Sequence, residues 1–375
     1  MLPSFISDLG RGFLNNDILS IDIGFTNIKV VHSRKKNGNQ LKIINFGIGS
    51  TPNGCIKNGI ISNLDGVADN LKKVINEHRI NERNVKFVIS AGSNIISKII
   101  FIPKDDSKKV EDKIRNEIMK HSLVDINTQK LFYRVTGETE REGEKCLRAL
   151  VTIVPNTTIE NYVKLIKLLN FKPIAIEIPF SSVARFFSKG VNVIDRESRG
   201  VHNMFYHIDS GATAVIDLGS ETTNLSILNA GALEFNRVIL SGGRSLDEII
   251  GKKLGVRHDI AERYKKMHGI VSERHMGDEI ENIVDTCIRE YIGEIMNNVK
   301  RSIEFYVNKC DGQAVERIFF IGGGSEMKGL RGFARDIMQK PVFSVENMNF
   351  NSIEFGNNLD KDKIRYLVNA VGLAM

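Results

Sequence analysis

Two short stretches of this chain repeat one pattern, and the pair restricts the fold more than any other feature. Residues 21–31 read Ile-Asp-Ile-Gly-Phe-Thr-Asn-Ile-Lys-Val-Val, and residues 216–227 read Ile-Asp-Leu-Gly-Ser-Glu-Thr-Thr-Asn-Leu-Ser-Ile. In each, an apolar run leads into Asp-x-Gly and a second apolar run follows, which predicts two strands joined by a tight turn. One copy alone is typical of an ordinary hairpin. Two copies predict a duplicated α/β fold that closes on a ligand held between the turns.

The residue types in both turns suit a phosphate group. Gly24 and Gly219 let the backbone approach an anion closely. The neighbouring hydroxyls and turn N–H groups can then donate hydrogen bonds to phosphate oxygens. Asp22 and Asp217 lie at the predicted strand ends, where each carboxylate can hold Mg²⁺ through water, since this ion usually keeps several of its waters.

Two more glycine clusters follow along the chain. Ser241-Gly242-Gly243 precedes a predicted helix, and Gly322-Gly323-Gly324-Ser325 follows the apolar run 318–321. A helix that starts at such a turn points its first N–H groups outward, where they can bind an anion. Residues 207–213 also contain Asp, Gly and Thr, but only the copy at 217–223 is followed by an apolar strand, a turn at 229–231 and another strand.

Composition restricts the class of protein. The 375 residues suffice for two or three domains, and the net charge of +7 is small for this length. Lysine and arginine alternate with aspartate and glutamate, which predicts a mixed solvated surface and no nucleic-acid binding. The four cysteines lack metal-ligand spacing and are expected to be reduced. No signal peptide or spanning segment is recognisable, so we expect an intracellular protein that reaches a membrane only through a partner.

The remaining periodicity predicts an α+β insert between the parts of the first half. Residues 1–17 have apolar residues at helical spacing, and residues 189–204 lack any period and are predicted to be a linker. In the insert, strands are predicted at 85–90, 95–102, 131–136 and 146–154, with a charged helix at 107–121. Other helices are predicted at 63–78, 157–169, 278–308 and 325–338 and from residue 364 onward.

These motifs, in this order, resemble the actin-like ATPase superfamily, and within it the PilM family of type IV pilus assembly proteins, which is related to the FtsA division proteins. The resemblance rests on residues 19–24, 28–31, 176–180, 217–220, 241–243, 294–306, 318–325 and 370–374. It implies a duplicated actin-like (ribonuclease-H-like) ATPase fold with a small FtsA-type α+β insert. The implied domains are the first core at 1–84, the insert at 85–170, the first core and linker at 171–205, the second half at 206–345, and a segment at 346–375 that returns to the first core.

The resemblance also implies a function. A protein of this family would be a cytoplasmic platform at the inner face of the cell membrane that binds ATP and Mg²⁺. It would bind the N-terminal tail of a PilN-like inner-membrane protein in a groove between the first core and the insert. It would also link that protein to the pilus motor ATPases, with membrane contact only through partners, and such a platform can form homo-oligomers.

By this resemblance, the residues expected to bind the nucleotide lie in the glycine turns and in the helix after the second one, and Asp22 and Asp217 are expected to hold the metal through water. Glu177, near a strand-to-helix turn, is the candidate for orienting the attacking water, but Ile178 directly precedes Pro179 and Phe25 replaces a common hydroxyl residue. We therefore expect slow or absent hydrolysis. The expected nucleotide ligands are Asp22, Gly24, Phe25, Thr26, Asn27, Lys29, Asp217, Gly219, Ser220, Glu221, Thr222, Gly242, Gly243, Glu248, Lys252, Gly322, Gly323, Gly324 and Ser325.

Two alternatives remain open at this point. One is a filament-forming division or cytoskeletal protein like FtsA or MreB, which needs a self-complementary surface that sequence does not reveal. The other is a small-molecule kinase of the same superfamily. The kinase is disfavoured because no second cluster of polar substrate-binding residues lies between the two phosphate turns.

Overall fold

The computed structural model describes residues 17–36, 40–105, 109–121, 125–188, 192–194, 205–207, 211–269, 271, 278–350, 352–356 and 360–375. The strands are β1 (Asp17–Ile23), β2 (Asn27–Lys35), β3 (Leu41–Ser50), β4 (Ile56–Lys57), β5 (Ile60–Ile61), β6 (Asn84–Val88), β7 (Ile96–Pro103), β8 (Gln129–Arg141), β9 (Glu144–Pro155), β10 (Lys172–Glu177), β11 (Asn192–Ile194), β12 (Phe205–His207), β13 (Ala212–Leu218), β14 (Thr223–Asn229), β15 (Ala232–Ile239), β16 (Val315–Ile321), β17 (Val342–Ser344), β18 (Met348–Asn349) and β19 (Ile353–Phe355). The helices are α1 (Leu64–Glu77), α2 (Val110–His121), α3 (Asn156–Leu168), α4 (Pro179–Phe187), α5 (Gly243–Leu254), α6 (His258–His268), α7 (Glu279–Lys309), α8 (Leu330–Met338) and α9 (Ile364–Ala374).

The first half is built on a mixed sheet with the strand order β10-β6-β1-β2-β3-β19. Strands β1, β2 and β3 form an antiparallel meander, while β6 runs parallel to β1 on its other side. Their buried positions are rich in isoleucine and valine, as expected for strands covered by helices. The hairpin predicted at residues 21–31 is therefore confirmed.

The second half repeats this arrangement. Its sheet has the order β15-β14-β13-β16-β17, in which β13, β14 and β15 form the meander and β16 runs parallel to β13. In the first hairpin Asp22 pairs with Lys29, and in the second Asp217 pairs with Asn224. The matching topology and register confirm the duplicated α/β fold predicted from the two turns.

The insert is a three-stranded antiparallel sheet, β7-β9-β8, with helix α2 against one face. Its own small core includes Ile102, Ile114 and Val151. Strands β8 and β9 are joined through Glu142 and Gly143, which both have positive φ, as a two-residue hairpin turn requires. The predicted insert strands at 95–102, 131–136 and 146–154 are confirmed, and β8 is longer than predicted.

One strand assigned to the insert by sequence lies elsewhere. The strand predicted at 85–90 is β6, which pairs with β1 and β10 in the first-half sheet. Its alternate residues Val85 and Phe87 are fully buried in the first-half core. The sequence of a short apolar strand does not show which sheet the strand joins, because its partner strands are distant in sequence.

Three other predicted elements concern residues 325–338, 189–204 and 1–17. The helix predicted at 325–338 is instead a 3₁₀ turn at Gly323–Glu326 followed by α8, because Gly329 takes a φ of 77° and interrupts the helix. Within the predicted linker 189–204, β11 pairs with β12 and β18, while the rest of that linker lies outside the described residues. The amphipathic helix predicted for residues 1–17 falls almost entirely outside them as well.

Two helices connect distant parts of the chain. Helix α7 matches the long helix predicted at 278–308 and is capped by the side chain of Asp278, which accepts from the Glu281 N–H. Helix α9 packs on α4, β1, β2 and β6, so the last described helix completes the core of the first half. At its crossing with α4, Gly372 lies so close to the Ser182 carbonyl that a Cβ at residue 372 would collide with it.

We expect Gly372→Ala to lower the free energy of unfolding by about 2 kcal/mol or more, because the added methyl group must push α9 away from α4. Gly332→Ala in α8 is the matched control, since nothing lies within 4 Å of its added Cβ. That control should leave stability unchanged or raise it by up to about 1 kcal/mol. Denaturant unfolding of both variants provides the comparison, and equal stabilities would contradict the close helix contact.

Candidate nucleotide site between the two halves

The two repeated turns have the same backbone geometry. The Gly24 N–H donates to the Asn27 carbonyl at 2.9 Å, and the Gly219 N–H donates to the Thr222 carbonyl at 3.0 Å. A Cβ on Gly219 would lie 2.8 Å from that Thr222 oxygen, so the turn needs glycine there. Both turns close in the way the sequence pattern predicts.

The first turn is supported by a residue that sequence reasoning missed. The Thr51 hydroxyl donates to the Gly24 carbonyl at 2.7 Å, and the Thr51 N–H donates to the Thr26 carbonyl at 2.8 Å. Thr26 stays exposed at the tip of the turn, while the ring of Phe25 packs on the first-half core. At residue 25, therefore, the backbone is the part available to an anion.

The carboxylates of the two halves interact electrostatically at the cleft between the turns. The Lys29 ammonium lies 3.0 Å from the Asp22 carboxylate, and both charges act on Asp217. Desolvation raises the pKa of Asp217 to about 6, while the Lys29 charge opposes this rise and the Asp22 charge adds to it. The Asn369 amide of α9 also donates to Asp217, at 3.4 Å. The structure thus brings together the two aspartates expected to hold the metal.

The glycine turn at residues 322–325, called the third glycine turn after those at Gly24 and Gly219, packs directly on the turn at Gly219. Gly322 has a φ of 81°, and a Cβ there would collide with the Asp217 carboxylate. A Cβ on Gly324 would lie 2.7 Å from the side chain of Leu218. The Ser325 hydroxyl donates to the Gly322 carbonyl at 2.6 Å, so it supports its own turn in this conformation. Gly322 and Gly324 therefore lie against Asp217 and Leu218, while nucleotide contact by Gly322, Gly324 and Ser325 stays a prediction.

The Gly242-Gly243 turn supports the second phosphate turn from behind. The Gly243 N–H donates to the Gly219 carbonyl at 3.0 Å, and the Arg244 N–H donates to the Ser220 carbonyl at 2.7 Å. These first N–H groups of α5 are thus occupied by protein acceptors. Phosphate binding by Gly242 and Gly243 stays a prediction, whereas their close packing on the turn is observed.

The two candidate ligands on α5 lie on its outer face. Glu248 and Lys252 are exposed, at helical spacing from Arg244, whose guanidinium lies 3.0 Å from the Glu221 carboxylate. Lys252 is two turns beyond Arg244, or about 12 Å along the helix. The Glu248 carboxylate lies 4.0 Å from the Arg244 guanidinium, and a nucleotide role for Glu248 and Lys252 stays a prediction.

Helix α6 contributes a cation that sequence reasoning missed. The Lys265 ammonium donates to the Gly243 carbonyl at 3.0 Å and pairs with the buried Asp247 carboxylate at 2.6 Å. The sequence did not predict this role for Lys265, because Lys265 lies in a charged run and such runs usually lie on solvated faces.

Glu177 lies at the end of β10 and forms a close ion pair with Arg185, whose guanidinium also donates to the Gly372 carbonyl at 2.9 Å. Because Arg185 holds this carboxylate toward α9, the role of Glu177 in orienting water stays a prediction.

A polar cavity of about 350 Å³ lies beside the third glycine turn. It is found where β16 and β17, which run parallel, reach their carboxyl ends, a usual place for ligands in α/β sheets. Its lining includes Ser325, Lys328, Arg331, Ser344 and Arg365. The cavity offers polar and cationic groups next to Ser325, one of the residues predicted to bind the nucleotide.

Comparison with known proteins decides the family. A family model described as "Type IV pilus assembly protein PilM" matches residues 20–375. The chain belongs to the PilM family. Cell division protein FtsA of Bacillus subtilis is 23% identical over 374 residues, covering 88% of this chain and 78% of FtsA. FtsA of Neisseria meningitidis serogroup B is 21% identical over 370 residues, covering 86% and 82%.

Solved structures of similar shape confirm the actin-like ATPase fold of this PilM family member. A chain of the "PilM-PilN type IV pilus biogenesis complex" aligns with a TM-score of 0.76 at 19% identity, covering 95% of this chain and 97% of that one. MreB5 of Spiroplasma citri bound to AMPPNP aligns with a TM-score of 0.50 at 14% identity, covering 88% and 91%. Within the described residues, no helix is both long and apolar enough to cross a membrane.

The donor set at the cleft suits Mg²⁺ with a nucleotide phosphate. Asp22 and Asp217 supply carboxylate oxygens, the ligand type this ion prefers, and Lys29 supplies a cation for phosphate. A second set of ligand-type side chains, Asp17, His32 and Glu82, lies at the opposite end of β1. There the Arg34 guanidinium pairs with Asp17 and already balances its charge.

We expect Asp217→Asn to stabilise the ligand-free protein while it weakens binding of Mg²⁺ and nucleotide. The folded pKa of Asp217, about 6, lies above its ordinary value of 3.8, so the folded state binds the proton more tightly than the unfolded chain. Unfolding free energy is therefore lost as the pH rises from about 4 to about 6. Because Asp217 as a residue is only partly buried, we expect the variant to gain about 1–2 kcal/mol at pH 7.

Thermal unfolding of both proteins at pH 4 and pH 7, without nucleotide, measures this gain. It should appear at pH 7 and be small at pH 4, where the wild-type carboxyl is protonated. A gain of the same size at both pH values would show that the charge of Asp217 is not its cause.

Proposed function

We propose that this protein is a cytoplasmic platform of type IV pilus assembly that holds ATP and Mg²⁺ between its two halves. The observation that carries the nucleotide part is the meeting of Asp22, Lys29 and Asp217 between three glycine turns. The family supports the pilus part. The MreB5 structure that aligns with this chain was solved with AMPPNP, which supports ATP as the ligand class.

In this proposal the nucleotide is held rather than rapidly consumed. Phosphoryl transfer needs a residue that orients the attacking water. Glu177, the candidate from the sequence, is paired with Arg185, and Ile178, which directly precedes α4, is a buried apolar residue that cannot orient water. ATP would then act mainly by fixing the two halves relative to each other.

The partner we propose is the N-terminal tail of a PilN-like inner-membrane protein, bound in a groove between the first core and the insert. The PilM-PilN complex that aligns with 95% of this chain supports this choice. The platform would lie at the inner face of the cell membrane, contact lipid only through partners, and link the PilN-like protein to the pilus motor ATPases. Homo-oligomers are compatible with this role.

We expect titration calorimetry to detect ATP binding in the presence of Mg²⁺, and single-turnover assays with radiolabelled ATP to show phosphate release far slower than the ~10 per second of a typical enzyme. Asp217→Ala should abolish the binding. Asp69→Ala, which removes an exposed aspartate on α1, is the matched control and should bind ATP as the wild type does. Fast phosphate release by the wild type would contradict the holding role and favour an ATPase.

We expect a synthetic peptide with the N-terminal sequence of a PilN-like protein to bind the full-length chain. The Asp217→Ala variant should still bind this peptide, at least weakly. A scrambled peptide of the same composition is the control. Peptide binding without nucleotide binding would retain the pilus role and remove ATP from it. Sedimentation of the protein with ATP and Mg²⁺, without any peptide, would instead favour a filament-forming protein.

A further inference from the structure

Strand β9 of the insert lies across both halves of the molecule. Its residues Leu150 and Val154 are buried in the first-half core, whereas Arg148, on the same face of the strand as both of them, bonds to residues of the second half. Ile99 on β7 pairs with Leu150 and packs against the cores of both halves. The insert therefore bridges the two halves, although the chain connects it only to the first.

The contact with the second half is a buried and well-bonded ion pair. Arg148, only 7% exposed, donates to the Glu234 carboxylate at 3.0 Å and to the carbonyls of Cys310 and Asp311 at 2.9 and 2.7 Å. Glu234 also accepts from the Tyr306 hydroxyl at 2.5 Å and from the Asn229 amide at 3.0 Å. A buried pair of this kind adds little net stability, but it allows one arrangement of its partners, since a shift leaves a charge unpaired.

Two rigid elements run from this ion pair to a glycine turn of the nucleotide site. Helix α7 carries Tyr306 near one end, and 15 residues earlier, or about 22 Å away, it carries Tyr291. The Tyr291 hydroxyl donates to the Gly242 carbonyl at 3.0 Å. Strand β15 contains Glu234 and leads directly into residues 240–243. Helix α7 thus contacts the Gly242 turn near its middle and the Arg148 ion pair near its C-terminal end, and β15 joins the same two places.

We propose that this path, from Gly242 through α7 and β15 to Arg148, couples the nucleotide cleft to the insert. A nucleotide bound at the second phosphate turn restricts the motion of the insert as well. By reciprocity, a partner bound to the insert tightens nucleotide binding by the same factor by which nucleotide tightens partner binding. The inference rests on the proposed function, because it takes ATP as the ligand of the cleft. It adds a regulatory connection between two sites that are separated along the molecule.

The test is hydrogen exchange of the full-length protein, followed by mass spectrometry, with and without AMPPNP and Mg²⁺. In the wild type, bound nucleotide should slow exchange of the β8 and β9 amides by about 5-fold or more, a usual size for coupling between sites. Tyr306→Phe removes one hydroxyl from the path and should reduce that effect to less than about 2-fold while nucleotide affinity changes little. Tyr264→Phe on α6, which removes a hydroxyl outside the path, should keep the full effect.

Arg148→Lys keeps the charge but loses the geometry of the guanidinium, so it should also abolish the response of the insert. If nucleotide binds the wild type and the insert does not respond, the coupling is overturned and nucleotide binding stands. If the response persists in both Tyr306→Phe and Arg148→Lys, the path is overturned. If calorimetry finds no nucleotide binding at all, the proposed nucleotide function fails and the coupling falls with it.

Discussion

The charges of Asp22, Lys29 and Asp217 are the interaction on which the arrangement of this molecule depends. Two carboxylates from opposite halves act on one another, and a single ammonium lies among them. One cation balances only part of this negative charge, so a further cation would relieve both the repulsion and the desolvation of Asp217. The glycines at the three turns allow this approach, because a Cβ at residue 322 would collide with the Asp217 carboxylate. The steric requirement for glycine at residue 322 and the charge interactions thus both involve the Asp217 carboxylate.

Hydrophobic packing sets how far the two halves can move apart. Phe319, in the second half, packs against Phe187 of α4 with a ring separation of 5.2 Å, and both rings are fully buried. The first-half core therefore includes residues of the second half. Polar contacts with strict geometry, such as the ion pair of Arg148 with Glu234, are found at the edge of this shared core. The apolar contacts hold the halves together, and the polar ones select their orientation.

The sequence predicts those features that a few adjacent residues determine. The turns at Gly24 and Gly219 belong to this group, as do the apolar stripe of α7 and the hairpin of β8 and β9, because each follows from local spacing. Strand β6 was placed in the wrong unit because its partners β1 and β10 are far away in sequence. The break before α8 was missed because Gly329 takes its positive φ beside the Val271 backbone, which is distant in sequence. For the site, the aspartates were predictable from their motif, whereas Thr51, Lys265 and Asn369 reach the turns only through tertiary contacts.

Helix α9 has a consequence for how the chain acquires its structure during synthesis. Strands β1 and β2 are synthesised well before α9, the helix that covers them, and Gly372 of α9 fits tightly against α4. Until the ribosome has released that helix, the apolar surface of the first-half sheet lacks its cover. The second half has its own core and meets no such delay. The first-half sheet is therefore synthesised well before the helix that covers it, and exposed apolar surface of this kind makes a partly folded chain prone to aggregate.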